Sequence, residues 1–232
     1  MNQIIRYLIF PVTILLIVFL MIVSPITSAK ENNQKAKYIT LPEPKLIGKM
    51  SLEECLAKRR SVRTYADEAI TMEQVSQLLW AAQGITSDKG GRTAPSAGAL
   101  YPLEIYIVVT MVKELDQGIY RYECKPKRLL KIKDGSFRKA LCAAALGQKC
   151  IADAPLTIVI AAEYARTSKK YGERAERYVH MEVGNASQNI YLQAESLGLG
   201  TVAIGAFYDD KVKEILGENF APLLLMPMGV KQ

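Results

Sequence analysis

Apolar residues recur along this chain at two spacings, and the spacings divide it into elements. Val75, Leu78, Leu79 and Ala82 share one face at helical spacing. Thr71-Met72-Glu73-Gln74 stands before them as a capping box, so a helix starts there. The lone Trp80 packs beside that stripe. Ser51-Leu52-Glu53-Glu54 is a second capping box, opening a shorter helix that ends in Arg59 and Arg60. The longest helical pattern runs from about Arg174 to Leu197. Its apolar face carries Val179, Val183, Ala186, Ile190, Ala194 and Leu197. At about 1.5 Å per residue it spans roughly 35 Å, enough to cross a whole domain. Shorter helices are expected at Phe137 to Ala145 and Asp209 to Leu216.

Strand patterns fill the gaps. Leu103 to Val109 alternates into a strand, and Leu156 to Ala162, with six apolar residues out of seven, reads as a buried strand. Gly118 to Glu123 and Arg128 to Ile132 read as a hairpin turning at Lys125-Pro126. Thr201 to Phe207 and Leu223 to Met228 complete the set. Tyr38 to Pro44 is an extended approach, since its two prolines oppose helix. Strands and helices mix without a regular βαβ rhythm, which predicts an α+β fold.

Residues 1–29 stand apart. Tyr7 to Val23 is a nearly unbroken apolar run of 17 residues, preceded by Arg6 and followed by small residues at Thr27 and Ala29. It reads as a cleaved secretory signal or as an uncleaved membrane anchor, touching the membrane only through residues 7–23. Either reading places the protein outside the cytoplasmic membrane. Residues 30–40 read as a linker and residues 41–232 as one domain. Half the residues are apolar, so a single substantial core is expected. The net charge of +7 is spread along the chain with no basic tract, which argues against nucleic acid as a partner. Cys55, Cys124, Cys142 and Cys150 form no C-x-x-C, and His180 is the single histidine, so no metal site is expected.

Candidate chemistry concentrates in four places. Arg59-Arg60-Ser61-Val62-Arg63 gathers three guanidinium groups and a hydroxyl, a set able to hold a dianionic phosphate. Alone it is also what a solvated basic helix end looks like, so the ligand reading depends on segments later in the chain. Gly84 to Leu100 is a loop of small residues, with Arg92 and then Pro95-Ser96-Ala97-Gly98-Ala99. Such a loop lets backbone approach a flat ligand. Lys169-Lys170-Tyr171-Gly172 closes a polar stretch. Gly198-Leu199-Gly200 precedes Ala203-Ile204-Gly205-Ala206, another run of small residues. Other chemistries fail. Gly198-x-Gly200 lies after a helix and before a strand, the reverse of a dinucleotide fingerprint, and Ser96 sits in no G-x-S-x-G.

The order of these pieces resembles the nitroreductase-like flavoenzymes, in particular their SagB-type dehydrogenase branch. The likeness rests on Arg-Arg-Ser-x-Arg, the Pro-Ser-Ala-Gly-Ala-Leu-Tyr-Pro loop, Lys-Tyr-Gly, the long helix, Gly-Leu-Gly-Thr-Val-Ala-Ile-Gly-Ala-Phe and a terminal Met-Pro-Met-Gly. It runs from about Leu41 to the C-terminus. The resemblance implies a central, mostly antiparallel sheet flanked by helices, and a homodimer with FMN at each interface. It assigns Arg59, Ser61 and Arg63, with Arg60 and Lys231, to the phosphate and ribityl chain. Pro95, Ser96, Ala97, Gly98 and Ala99 would lie against the flavin from the partner subunit, and Arg92 is a further cofactor-binding candidate. Ala203, Ile204, Gly205 and Ala206 would turn backbone toward the flavin N5 edge. Lys170 and Tyr171 match a catalytic pair, with Lys170 as base; a solvated surface pair is the competing reading. The implied activity is an FMN-dependent oxidoreductase passing electrons from NAD(P)H to a small organic acceptor such as a nitro compound or quinone, or oxidising a substrate as the SagB-type enzymes do. The alternative is an exported flavin-binding protein without turnover.

Overall fold

The computed structural model describes residues 37–232. The expected signal or anchor and most of the expected linker lie outside the described residues. Among the described residues, no helix is long and apolar enough to cross a membrane.

Seven strands form one sheet: β1 (Tyr38–Thr40), β2 (Leu103–Val109), β3 (Gly118–Cys124), β4 (Lys127–Asp134), β5 (Leu156–Ala162), β6 (Leu199–Thr201) and β7 (Ala221–Val230). Their order is β1-β4-β3-β2-β5-β7-β6, and every neighbouring pair is antiparallel. The helices are α1 (Leu52–Lys58), α2 (Met72–Gln83), α3 (Arg138–Ala144), α4 (Lys149–Asp153), α5 (Tyr164–Tyr171), α6 (Ala175–Ser196) and α7 (Asp209–Leu216).

Alternation along the central strands builds two cores. Leu103, Ile105, Ile107 and Val109 of β2 face α2 and α6, together with Leu156, Ile158 and Ile160 of β5. Tyr106, Val108, Val159 and Ala161 face the other way, onto Leu141, Ile151, Val212 and Leu216 of α3, α4 and α7. Both faces of β2 and β5 are covered, which is why Leu156 to Ala162 reads as a nearly unbroken apolar run. Each such aliphatic side chain contributes about 1.5–3 kcal/mol on leaving water.

Both capping boxes form. Ser51 Oγ accepts from the Glu54 amide while Glu54 accepts from the Ser51 amide, and Thr71 and Gln74 do the same. Four expectations change. Tyr38–Thr40, at the end of the expected linker, pairs with β4 as an edge strand. The stretch Tyr164 to Tyr171 is a helix that buries only Thr167, so it offers no apolar stripe to read. Lys149–Asp153 adds a short helix. The expected strand from Thr201 to Phe207 ends at Thr201, beyond which only Ile204 keeps a bridge, to Leu225. The ladder breaks there at Pro227, which stands opposite Val202 without an amide to donate and whose carbonyl accepts from Thr201 Oγ1 and Tyr65 Oη.

Candidate functional site

The arginine segment is laid along the sheet's last strand. Arg59 caps α1, its amide donating to the Cys55 carbonyl at 2.9 Å. From there the chain runs extended beside β6: the Val62 amide donates to the Thr201 carbonyl at 2.8 Å, and Ser61 bridges Thr201 in parallel. Gly200 permits the approach, since a Cβ there would lie 2.6 Å from Val62 Cγ1.

Tyr191 of α6 organises this corner. The Ala203 amide donates to Tyr191 Oη at 2.7 Å, and Tyr191 Oη lies 3.1 Å from Ser61 Oγ. The Arg59 guanidinium sits 5.0 Å from the centre of the Tyr191 ring. Either hydroxyl can donate in the Ser61–Tyr191 pair; with Tyr191 as donor, the Ser61 proton is free for an anion. Sequence reasoning missed Tyr191, because an aromatic beside an apolar stripe reads as core. Arg63 is exposed and lies near enough to Cys150 and Tyr65 to lower both pKa values against the burial that raises them.

Two expected ligands are otherwise engaged. Arg60 turns back and donates to the Ala57 and Arg59 carbonyls at 2.9 and 2.7 Å, capping its own helix. Lys231 pairs with buried Glu195 at 2.6 Å, so its charge is already balanced. In Ala203-Ile204-Gly205-Ala206, the first amide goes to Tyr191 and the second to the Leu225 carbonyl. Among the described residues, the amides of Gly205 and Ala206 have no such partner.

The small-residue loop forms a second corner. A Cβ at Gly84 would lie 2.2 Å from Trp80 Cδ1, so the loop leaves α2 tightly against that indole. The Thr93 amide donates to the Gly84 carbonyl at 2.9 Å, and Asn189 Nδ2 of α6 donates to the Thr93 carbonyl at 3.1 Å. Ala97–Ala99 then make one 3₁₀ turn. Gly98, Ala99 and Tyr101 have φ of 63°, 55° and 47°. Left-handed backbone at a residue with a Cβ costs roughly 1–2 kcal/mol.

Lys170 and Tyr171, at the end of α5, reach this turn. A Cβ at Gly98 would lie 2.8 Å from Tyr171 Oη and 3.0 Å from Lys170 Nζ. The Lys-Tyr pair and the Pro95–Ala99 loop, 71 residues apart from Ala99 to Lys170, therefore form one surface. Tyr171 stacks edge-on against Tyr178 at 5.0 Å. Arg92 lies 4.2 Å over the Tyr101 ring and donates to Gln83 Oε1 at 2.8 Å. Under the loop, Glu182 of α6 is 2% exposed. Burial pushes its carboxyl above the usual range, against lowering by Ser96, Gln83 and Arg92.

The two corners do not meet within one chain. Glu182 and Tyr191 lie nine residues apart on α6, two and a half turns, so they face opposite sides about 14 Å apart along the axis.

A family model described as the Nitroreductase family matches residues 56–230. The chain belongs to the nitroreductase family. It is 49% identical over 193 residues to a protein of Methanocaldococcus jannaschii named as a nitroreductase, covering 83% of this chain and 96% of that one. It is 26% identical over 191 residues to a protein of Methanothermobacter thermautotrophicus named as an NADH dehydrogenase/NAD(P)H nitroreductase, covering 79% of this chain and 78% of the relative. A crystal structure from Anabaena variabilis, also named as a nitroreductase, superposes with a TM-score of 0.76 at 31% identity, covering 88% of this chain. This chain spans only 43% of that larger one. Membership makes the protein an oxidoreductase that works through a flavin.

Proposed function

We propose that the protein is an FMN-dependent oxidoreductase that carries electrons from NAD(P)H to a small organic acceptor such as a nitro compound or a quinone. The residues at the first corner fit the cofactor: Arg59 and Arg63 supply charge for a phosphate dianion, and Ser61 supplies an exposed hydroxyl. When bound, FMN supplies a ring that accepts hydride at N5 and passes electrons on singly or in pairs. The chain's own part is to grip the phosphate, bed the ring on small residues and exclude water. Gly205 and Ala206 have amides free to donate to an electron-rich ring edge. The observation that carries this reading is Tyr191, whose hydroxyl joins Ser61 to the Ala203 amide and so couples the phosphate anchor to the ring segment.

The reading includes a homodimer. The two corners face opposite sides of α6, so a cofactor held by Arg59 and Ser61 would meet the Pro95–Ala99 loop of a second copy. Leu46, Ile47, Leu52 and Leu56 are exposed, Leu46 at 79% and Ile47 at 90%. The first three rim a cleft of about 770 Å³ lined by α1, α2 and α6. An apolar surface of that kind fits a second copy. The name of the Methanothermobacter relative supports NAD(P)H as donor.

Lys170 Nζ, beside the loop, favours a second reading, SagB-type oxidation, in which Lys170 takes a proton from a substrate carbon. We also propose export or membrane attachment through residues 7–23. N-terminal sequencing of protein from fractionated cells checks it: the full chain in the cytosolic fraction would sink it.

The deciding experiment is an absorbance scan of the purified protein, followed by anaerobic addition of NADH and of NADPH. Bound flavin bleached by either donor supports the proposal. No flavin bands and no FMN uptake would overturn it, and FMN that no donor reduces would leave a binding protein. Lys170→Ala separates the first two readings: it should abolish SagB-type oxidation and leave nitro reduction within about threefold.

A further inference from the structure

The turn that carries Ser96 to Tyr101 is closed by a ring of side chains. The Tyr101 amide donates to Ser96 Oγ at 2.9 Å. The Ser96 hydroxyl is left to turn its proton elsewhere, and it lies close enough to the Glu182 carboxyl to lower that group's pKa. Gln83 Nε2 donates to Glu182 Oε1 at 3.4 Å, and Arg92 fixes Gln83 by donating to its Oε1 at 2.8 Å. Arg92 then lies 4.2 Å over the ring of Tyr101, where the circuit began. Gln83 and Glu182 are both 2% exposed, so the far side of the ring is out of water.

Two facts call for such a device. The turn holds three left-handed residues within four positions, Gly98, Ala99 and Tyr101. Conformations of that kind persist only where the surroundings over-determine them. A carboxylate buried under a loop, with no ion-pair partner among the described residues, is also costly unless its hydrogen bonds hold something in place. Glu182 is placed on the rigid core of the molecule, in α6, and it reaches both the loop and the end of α2.

We propose that Glu182 is a positioning residue: through Ser96 and Gln83 it holds the Pro95–Ala99 turn in the shape that beds the flavin and supports Lys170 and Tyr171. This rests on the FMN reading for its functional half. The structural half stands alone, because the ring is complete without a cofactor. Glu182 touches neither cofactor nor substrate in this scheme.

Glu182→Gln keeps the circuit. Arg92 sets the Gln83 amide group toward position 182, where a glutamine oxygen can accept it, and the new amide donates to Ser96. Glu182→Leu breaks the circuit with a side chain of similar volume. Hydrogen exchange of residues 94–101 in the flavin-free protein is the first measurement. Glu182→Leu should exchange about tenfold faster or more, and Glu182→Gln should match wild type within about threefold. FMN titration is the second. Glu182→Leu should weaken binding by about tenfold or more and shift the visible spectrum of bound flavin, and Glu182→Gln should restore both. Should Glu182→Leu fail to fold, Gln83→Met and Ser96→Ala cut the same ring at its other links and should give the same exchange. Wild-type exchange at residues 94–101 in Glu182→Leu, or in both substitute variants, overturns the proposal. If wild type takes up no FMN, the proposed function falls, while the exchange experiment still judges the ring.

Discussion

The two corners of the candidate site are built on different plans. At the first, Arg59, Ser61 and Arg63 come from five consecutive positions, laid flat along β6 by backbone hydrogen bonds. Their charged ends are partly or wholly in solvent. At the second, the working turn is strained, and its support comes from Gln83, Glu182, Lys170 and Tyr171, far apart in the chain. The first offers charge, which needs little preparation. The second offers shape, which must be enforced by buried neighbours. Damage should therefore read out differently: as lost affinity at the first corner, and as lost order or stability at the second.

The largest effect should come from emptying the charged corner. Arg59→Ala combined with Arg63→Ala removes two charge-assisted contacts worth about 1.5–3 kcal/mol each. FMN affinity should fall by at least about a hundredfold in a fluorescence titration, with the unfolding temperature nearly unchanged. A drop of less than about fivefold would mean that the phosphate lies elsewhere.

Next comes the shaped corner. Gly98→Ala places a Cβ at a φ of 63°, against Tyr171 Oη and Lys170 Nζ. A loss of about 2 kcal/mol is expected in chemical unfolding, together with reduced turnover. Unchanged stability would show that the turn is more pliable than its dihedral angles imply.

A smaller effect tests the link at the first corner. Tyr191→Phe leaves the Ala203 amide without its acceptor and Ser61 without its partner. A cost of about 1–2 kcal/mol is expected, seen as several-fold weaker FMN binding. Wild-type affinity would mean that Tyr191 is merely core.

The smallest is a pH effect at Glu182. Its folded-state pKa is raised, chiefly by burial. The unfolded chain therefore gives up this proton first as pH rises. Glu182 costs no stability at acid pH, where both states are protonated, and the cost grows as pH climbs past the ordinary carboxylate range of about 4.3. Unfolding of Glu182→Gln from about pH 4 to about pH 7 should lack this loss, so the variant gains on wild type toward neutrality. A constant difference between the two proteins would refute the shift.

The same contrast explains what could be read from the sequence. Val75, Leu78, Leu79 and Ala82 marked α2, alternation marked β2 and an apolar run marked β5, because burial on one or both faces leaves its imprint on the residue types. The arginine segment was legible because its chemistry is contiguous. Tyr191 and Glu182 were not, because a polar atom on a buried helix face acts through partners that no spacing reveals. The contacts of Arg60 and Lys231 were hidden for a similar reason: the Ala57 carbonyl and the Glu195 carboxylate come within reach of them only in the folded chain. The region after Thr201 failed as a strand because Pro227, its partner across the ladder, has no amide to give and a carbonyl already claimed by Thr201 Oγ1 and Tyr65 Oη.

The nine-residue interval on α6 has an evolutionary consequence. One residue inserted or deleted between Glu182 and Tyr191 would swivel one end by about 100° relative to the other. Either the loop's support or the tether at Ser61 would then point into empty space. Substitutions along this stretch can drift, but its length is a ruler that descendants of this chain must keep.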